Sequence, residues 1–138
     1  MNLTFLFSFI LLYGLFSCES TTEKNDILLF TNGQGPYACY RIPAIVNSPD
    51  GNLIAFAEGR TKDCNDFGDV DILMSKSYDG GVNWSEPFVV AQFGKLQAGN
   101  PAPVWDTLDP HFPQGRLFLF YNTGDKSCLL YTSPSPRD

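Results

Sequence analysis

Arg41 stands in Tyr40-Arg41-Ile42-Pro43, at the head of the apolar run Ile42 to Asn47. Arginine is rarely buried without an anionic partner, and proline interrupts a central strand, so this placement demands a reason. The residue before a proline is driven toward extended φ and ψ, which predicts Arg41 and Pro43 on one side of the chain and Ile42 and Ala44 on the other. A guanidinium on so stiff a segment can fork onto a planar carboxylate, each charged hydrogen bond contributing roughly 1.5 to 3 kcal/mol. The plain alternative is a surface arginine whose stem lies along apolar neighbours.

A second concentration of charge runs from Arg60 to Asp71 and contains Asp63, Asp66, Asp69 and Asp71. On residue types alone it is a solvated acidic turn or a calcium loop. EF-hand spacing counted from Asp63 fails, because Phe67 and Met74 fall where oxygen ligands are required. Asp71 reads as the opening of the following strand. The sole histidine, His111, sits in the proline-rich loop Asp109-Pro110-His111-Phe112-Pro113 and reads as a loop residue. No Ser-His-Asp set, metalloprotease helix or phosphate-loop spacing occurs, and the sequence calls for no metal and no cofactor.

The elements that must hold these groups are short apolar runs: Ile27 to Thr31, Ile42 to Asn47, Leu53 to Ala57, Val70 to Ser75, Phe88 to Ala91 and Leu117 to Asn122. Between or after them stand PDGN, YDGG and NTGD, turn signals because Gly and Asn tolerate positive φ. With no long segment of helical period beyond the N-terminus, the pattern predicts an all-β meander. The stretch Ser77-Tyr78-Asp79-Gly80-Gly81-Val82-Asn83-Trp84 matches S-x-D-x-G-x-x-W. In it Asp79 can cap backbone N–H groups, Gly81 can supply positive φ, and Trp84 is expected to enter the core.

The chain has 138 residues, 43% hydrophobic and 17% charged, with 12 Phe, 12 Gly and 10 Pro, which bounds it to a single turn-rich domain. A net charge of −6 with scattered Lys and Arg argues against nucleic acid. Residues 1–17 read as an export signal, an apolar stretch too short for a comfortable membrane span. Its end, Leu15-Phe16-Ser17-Cys18, resembles a bacterial lipoprotein cleavage box with Cys18 as the lipidated residue; a plain secretory peptide or an uncleaved anchor is the alternative. Residues 18–26 then form a tether. The expected location is periplasmic or cell-surface, with membrane contact only through that lipid, or secreted in the alternative. Export permits disulfides among Cys18, Cys39, Cys64 and Cys128. Residues 128–138, CLLYTSPSPRD, abandon strand alternation and resemble translated sequencing-adapter read-through, the alternative being a Pro-rich tail.

Tyr40-Arg41-Ile42-Pro43, then Phe56-Ala57-Glu58-Gly59-Arg60, an acidic loop, the S-x-D-x-G-x-x-W box and Gly99-Asn100-Pro101-Ala102-Pro103-Val104 together resemble the N-terminal part of the exo-α-sialidase (neuraminidase) family, bacterial type, over about Ile27 to Asp125. The resemblance implies a six-bladed β-propeller, of which residues 27–127 are the N-terminal part, about two blades and incomplete in this chain. It implies that Arg41 clamps a sialic acid carboxylate, that Asp66 is the general acid/base, with Asp63 and Asp69 as competitors, and that Arg60 and Asn100 face the sugar. Asn100 read alone is a turn former. Ser77, Asp79, Gly81 and Trp84 become a structural Asp box away from the active site. Cys39 and Cys64, which flank groups the resemblance brings to one pocket, become a proposed disulfide, two free thiols being the alternative.

The function implied is retaining release of terminal sialic acid from glycoproteins, glycolipids or oligosaccharides. The tyrosine nucleophile, its glutamate and the remaining clamp arginines are expected downstream of this chain, so that the chain alone is expected to be inactive. A non-catalytic glycan-binding propeller lipoprotein and a glycosidase for another acidic sugar are the alternatives.

Overall fold

The computed structural model describes residues 26–124. The proposed signal, Cys18, nearly all of the tether and the tail with Cys128 lie outside the described residues.

Six strands carry the fold, and among the described residues there is no helix. β1 (Cys39–Asn47), β2 (Leu53–Arg60), β3 (Val70–Ser77) and β4 (Phe88–Ala91) form an antiparallel meander in which each strand pairs with the next. β5 (Gln97–Asp106) and β6 (Arg116–Gly124) form a second antiparallel pair, joined to the first group by the parallel bridge Val70↔Gln97. This is the layout of one four-stranded propeller blade followed by the opening pair of the next. The β1–β2 connection is a tight turn as PDGN predicts: Ser48 N–H donates to Asn52 O at 2.8 Å, and Gly51 supplies a φ of 85°.

β2 explains the core. Its row Ile54 and Phe56, with Ile72 and Met74 of β3 and Ala91 of β4, meets Ala98 of β5 to form the apolar centre. Ala44, Val46, Trp105, Leu117 and Leu119 close around it. Fully burying a side chain such as Phe56 or Ile72 contributes roughly 1.5 to 3 kcal/mol. Strand alternation puts Glu58 and Arg60 next in that same row. The apolar seam between the two strand groups therefore ends in a buried ionic pair, and that end is where the site lies.

Four expectations change. Ile27 to Thr31 is not a strand; within it Phe30 packs on Tyr40, with ring centroids 5.6 Å apart, while Ile27 and Leu28 are exposed. NTGD is not a turn through Gly124, because Asn122, Thr123 and Gly124 continue the ladder opposite Gly99, Ala98 and Gln97. β5, which the prolines conceal, exists because Pro101 falls in a bulge and Pro103 lies on a strand whose other edge is unpaired after Gln97. Ile42 is not extended but left-handed, with φ 53°. Between Arg41↔Glu58 and Ala44↔Phe56, β1 takes one more residue than β2, and accommodating it overrides the local preference before Pro43.

Candidate active site

Two arginines converge on one carboxylate. Arg41, at the β1 bulge, donates from Nη1 to Asp66 Oδ1 at 2.7 Å and to Cys64 O at 3.0 Å. Arg60, at the end of β2, donates from Nη1 to Cys64 O at 3.2 Å, to Asn65 O and to Asp66 Oδ1 at 3.3 Å. The two differ in setting: the Arg60 side chain, expected from the resemblance to face the sugar, is instead 3% exposed and enclosed by Glu58 and the loop, whereas those of Arg41 and Asp66 are 41% and 69% exposed. Among the described residues every side-chain hydrogen bond of Arg41 runs through Nη1, and Nη2 and Nε carry none.

The loop between β2 and β3 is held at both ends and in the middle. Thr61 donates from its N–H and its hydroxyl to Asp69 O, at 3.2 and 3.1 Å, which closes the base. Cys64 forms a disulfide with Cys39, the first residue of β1. Both guanidinium groups grip the carbonyl of this same Cys64. The covalent tie and the charged hydrogen bonds therefore fix one backbone point, two residues from Asp66.

The other aspartates, Asp63 and Asp69 in the loop and Asp71 in β3, have separate tasks. Asp63 accepts the Asn65 N–H at 2.9 Å, and that backbone bond holds its carboxyl below the usual carboxylate range. Asp69 closes the loop through its carbonyl. Asp71 accepts the Tyr37 hydroxyl at 2.7 Å; burial first, and that bond second, push the Tyr37 phenol well above its ordinary value.

Glu58 is the residue that sequence reasoning passed over. It is fully buried, pairs through Oε2 with Arg60 Nη2, and accepts the Asn100 N–H on Oε1 at 2.7 Å. The available signal was a carboxylate inside the apolar run of β2, two places before an arginine. Asn100 stands at the β5 bulge with φ 54°, and its Nδ2 donates to Asn122 Oδ1 at 3.1 Å.

The S-x-D-x-G-x-x-W turn lies at the other end of β3, about 23 Å of extended chain from Val70. Asp79 accepts the Asn83 N–H at 2.8 Å and its side-chain amide at 2.6 Å, and Gly81 N–H donates to Ser77 Oγ at 2.8 Å. The Asn83 backbone bond, then its side chain and the Ser77 hydroxyl, lower the Asp79 carboxyl to about 2. Trp84 is half-buried rather than in the core, because its Nε1 stays with the turn, donating to Gly81 O at 2.9 Å. Among the described residues His111, its side chain 87% exposed, bonds only within its own loop, to Asp109.

No protein-family model matches the chain. A sialidase of Micromonospora viridifaciens is 36% identical over 98 residues, 67% of this chain and 14% of that protein. An exo-alpha-sialidase of Arthroderma benhamiae is 33% identical over 119 residues, covering 82% and 26% respectively. One of Aspergillus fumigatus is 36% identical over 89 residues, covering 60% and 21%. The chain thus spans between 14% and 26% of the length of these relatives.

Proposed function

The chain belongs to the sialidase family of glycoside hydrolases, and from that premise we propose that the complete protein is an exo-α-sialidase in which Arg41 binds the sugar carboxylate and Asp66 moves the proton. The observation that carries this reading is the convergence of Arg41 and Arg60 on Asp66 at a loop pinned by a disulfide. A binding module has no need for a carboxyl group held there; a glycosidase does.

The steps follow from the groups. An incoming carboxylate meets Arg41 on its uncommitted nitrogens and competes with Asp66 for Nη1, which frees Asp66 to turn toward the glycosidic oxygen. Protonated Asp66 gives its proton to that oxygen as the bond to the anomeric carbon breaks; its carboxylate then takes a proton from the water that completes hydrolysis. Retaining hydrolysis also needs a nucleophile, in sialidases a tyrosine, and Arg41 and Asp66 supply the other two requirements. Arg60, enclosed by Glu58 and the loop carbonyls, acts from behind by holding Asp66.

Comparing an aryl sialoside with its carboxyl methyl ester tests the reading. The complete gene product should cleave the acid and discriminate against the ester, and Arg41→Ala should lose at least about tenfold of that discrimination. Equal cleavage of acid and ester by the wild type sinks the Arg41 assignment. Cleavage of a uronide in place of the sialoside redirects the reading to another acidic sugar.

A further inference from the structure

Glu58 joins the two strand groups with one carboxylate. Oε2 holds Arg60 on its own strand, and Oε1 holds the Asn100 N–H of β5, 42 residues away. That N–H is available because Asn100 sits where β5 carries an extra residue opposite β6. The approach also depends on residue 99. A Cβ at Gly99 would overlap the Gln97 amide and lie 2.7 Å from Glu58 Oε1, so any larger residue there would have to displace both side chains from the junction.

The other end of the chain of contacts is the acid loop. Arg60 passes the constraint to the carbonyls of Cys64 and Asn65 and to Asp66. A buried carboxylate is tolerable when a guanidinium and an N–H match it, whereas removing it alone leaves buried Arg60 with only the exposed Asp66 as counter-charge among the described residues. We propose that Glu58 is the positioning residue that sets the Asp66 loop against Asn100 across the junction of the strand groups. It touches no substrate; it acts through Arg60 and the β5 backbone. This deepens the reading of Asp66 as the acid and rests on it.

The test uses the complete gene product with Glu58→Gln, which keeps an acceptor for Asn100 but removes the charge facing Arg60. Two substrates separate positioning from plain stability: sialyllactose, whose leaving sugar needs a proton, and a 4-methylumbelliferyl sialoside, whose leaving group needs little. The expected loss in kcat/KM is about a hundredfold on sialyllactose and less than about tenfold on the aryl sialoside. Equal losses on both, or none on either, overturn the proposal.

If the wild type cleaves neither substrate, the sialidase reading fails, and amide hydrogen exchange decides the positioning claim independently. Glu58→Gln should speed exchange in residues 61–69 and 97–102 and leave residues 77–84 unchanged; unchanged or uniformly faster exchange overturns it. Should that variant not fold, Glu58→Leu with Arg60→Met removes both charges together and carries the same expectations in both measurements.

Discussion

Ile42 and Asn100 are counterparts in successive strand groups: each is a left-handed residue, φ 53° and 54°, at a bulge and immediately before a proline. Asparagine tolerates that conformation, and a β-branched residue does not adopt it without cost. The two bulges flank the site, one beside Arg41 and the other donating its N–H to Glu58. Backbone strain is thus held next to Arg41 and at the N–H that meets Glu58, where surrounding structure can maintain it.

Ile42→Asn should therefore stabilise the protein by about 1 kcal/mol, since Ile42 is 37% exposed and gives up little burial. Urea unfolding of the two proteins measures this. A loss of stability of the same size would show that Ile42 is held by packing and not merely tolerated.

Gly59 has a different constraint. A Cβ there would overlap Leu73 Cδ1 and come within 2.8 Å of the Tyr37 ring. Gly59→Ala should cost about 1 to 3 kcal/mol by overpacking, read as a lower urea midpoint. An unchanged midpoint would mean that Tyr37 moves freely, against its burial and its bond to Asp71.

The Cys39–Cys64 disulfide closes a separation of 25 residues, and replacing both cysteines with serine should lower stability by about 3 kcal/mol through the freedom returned to the unfolded chain. Reducing agent should act on the wild type in the same direction and leave the serine variant unaffected. Equal midpoints with and without reductant would show that the bond does not constrain the chain.

Asp79 sets an acid limit. Its folded carboxyl titrates at about 2 and its ordinary value is 3.8, so its contribution is complete above 3.8 and is lost as pH falls toward 2. Asp79→Asn should make stability less dependent on pH in that window and change little in the dependence above it. Identical pH profiles for the two proteins would show that the turn does not depend on the ionised carboxylate.

Much of this arrangement was legible in residue types. β2, β3 and β4 show as apolar runs between turn residues, and Arg41 stands out by its type before a proline; Asp66, Cys39 and Cys64 stand out only through the resemblance carried by the ordered motifs. What stayed hidden depended on register. Pro101 and Pro103 argue against a strand until the bulge and the open edge of β5 are seen. Ile42 follows the rule for residues before proline until the extra residue in β1 overrules it. Glu58 reads as one polar residue in an apolar run, and its importance comes from a partner 42 positions away.

Hydrolysis of sialyllactose by the complete gene product and its Asp66→Asn variant tests the central claim most directly. Asparagine can still accept from Arg41 and Arg60 but cannot deliver a proton, so kcat/KM should fall by about a hundredfold or more. Cleavage by Asp66→Asn at the wild-type rate would contradict the assignment of Asp66 as the acid.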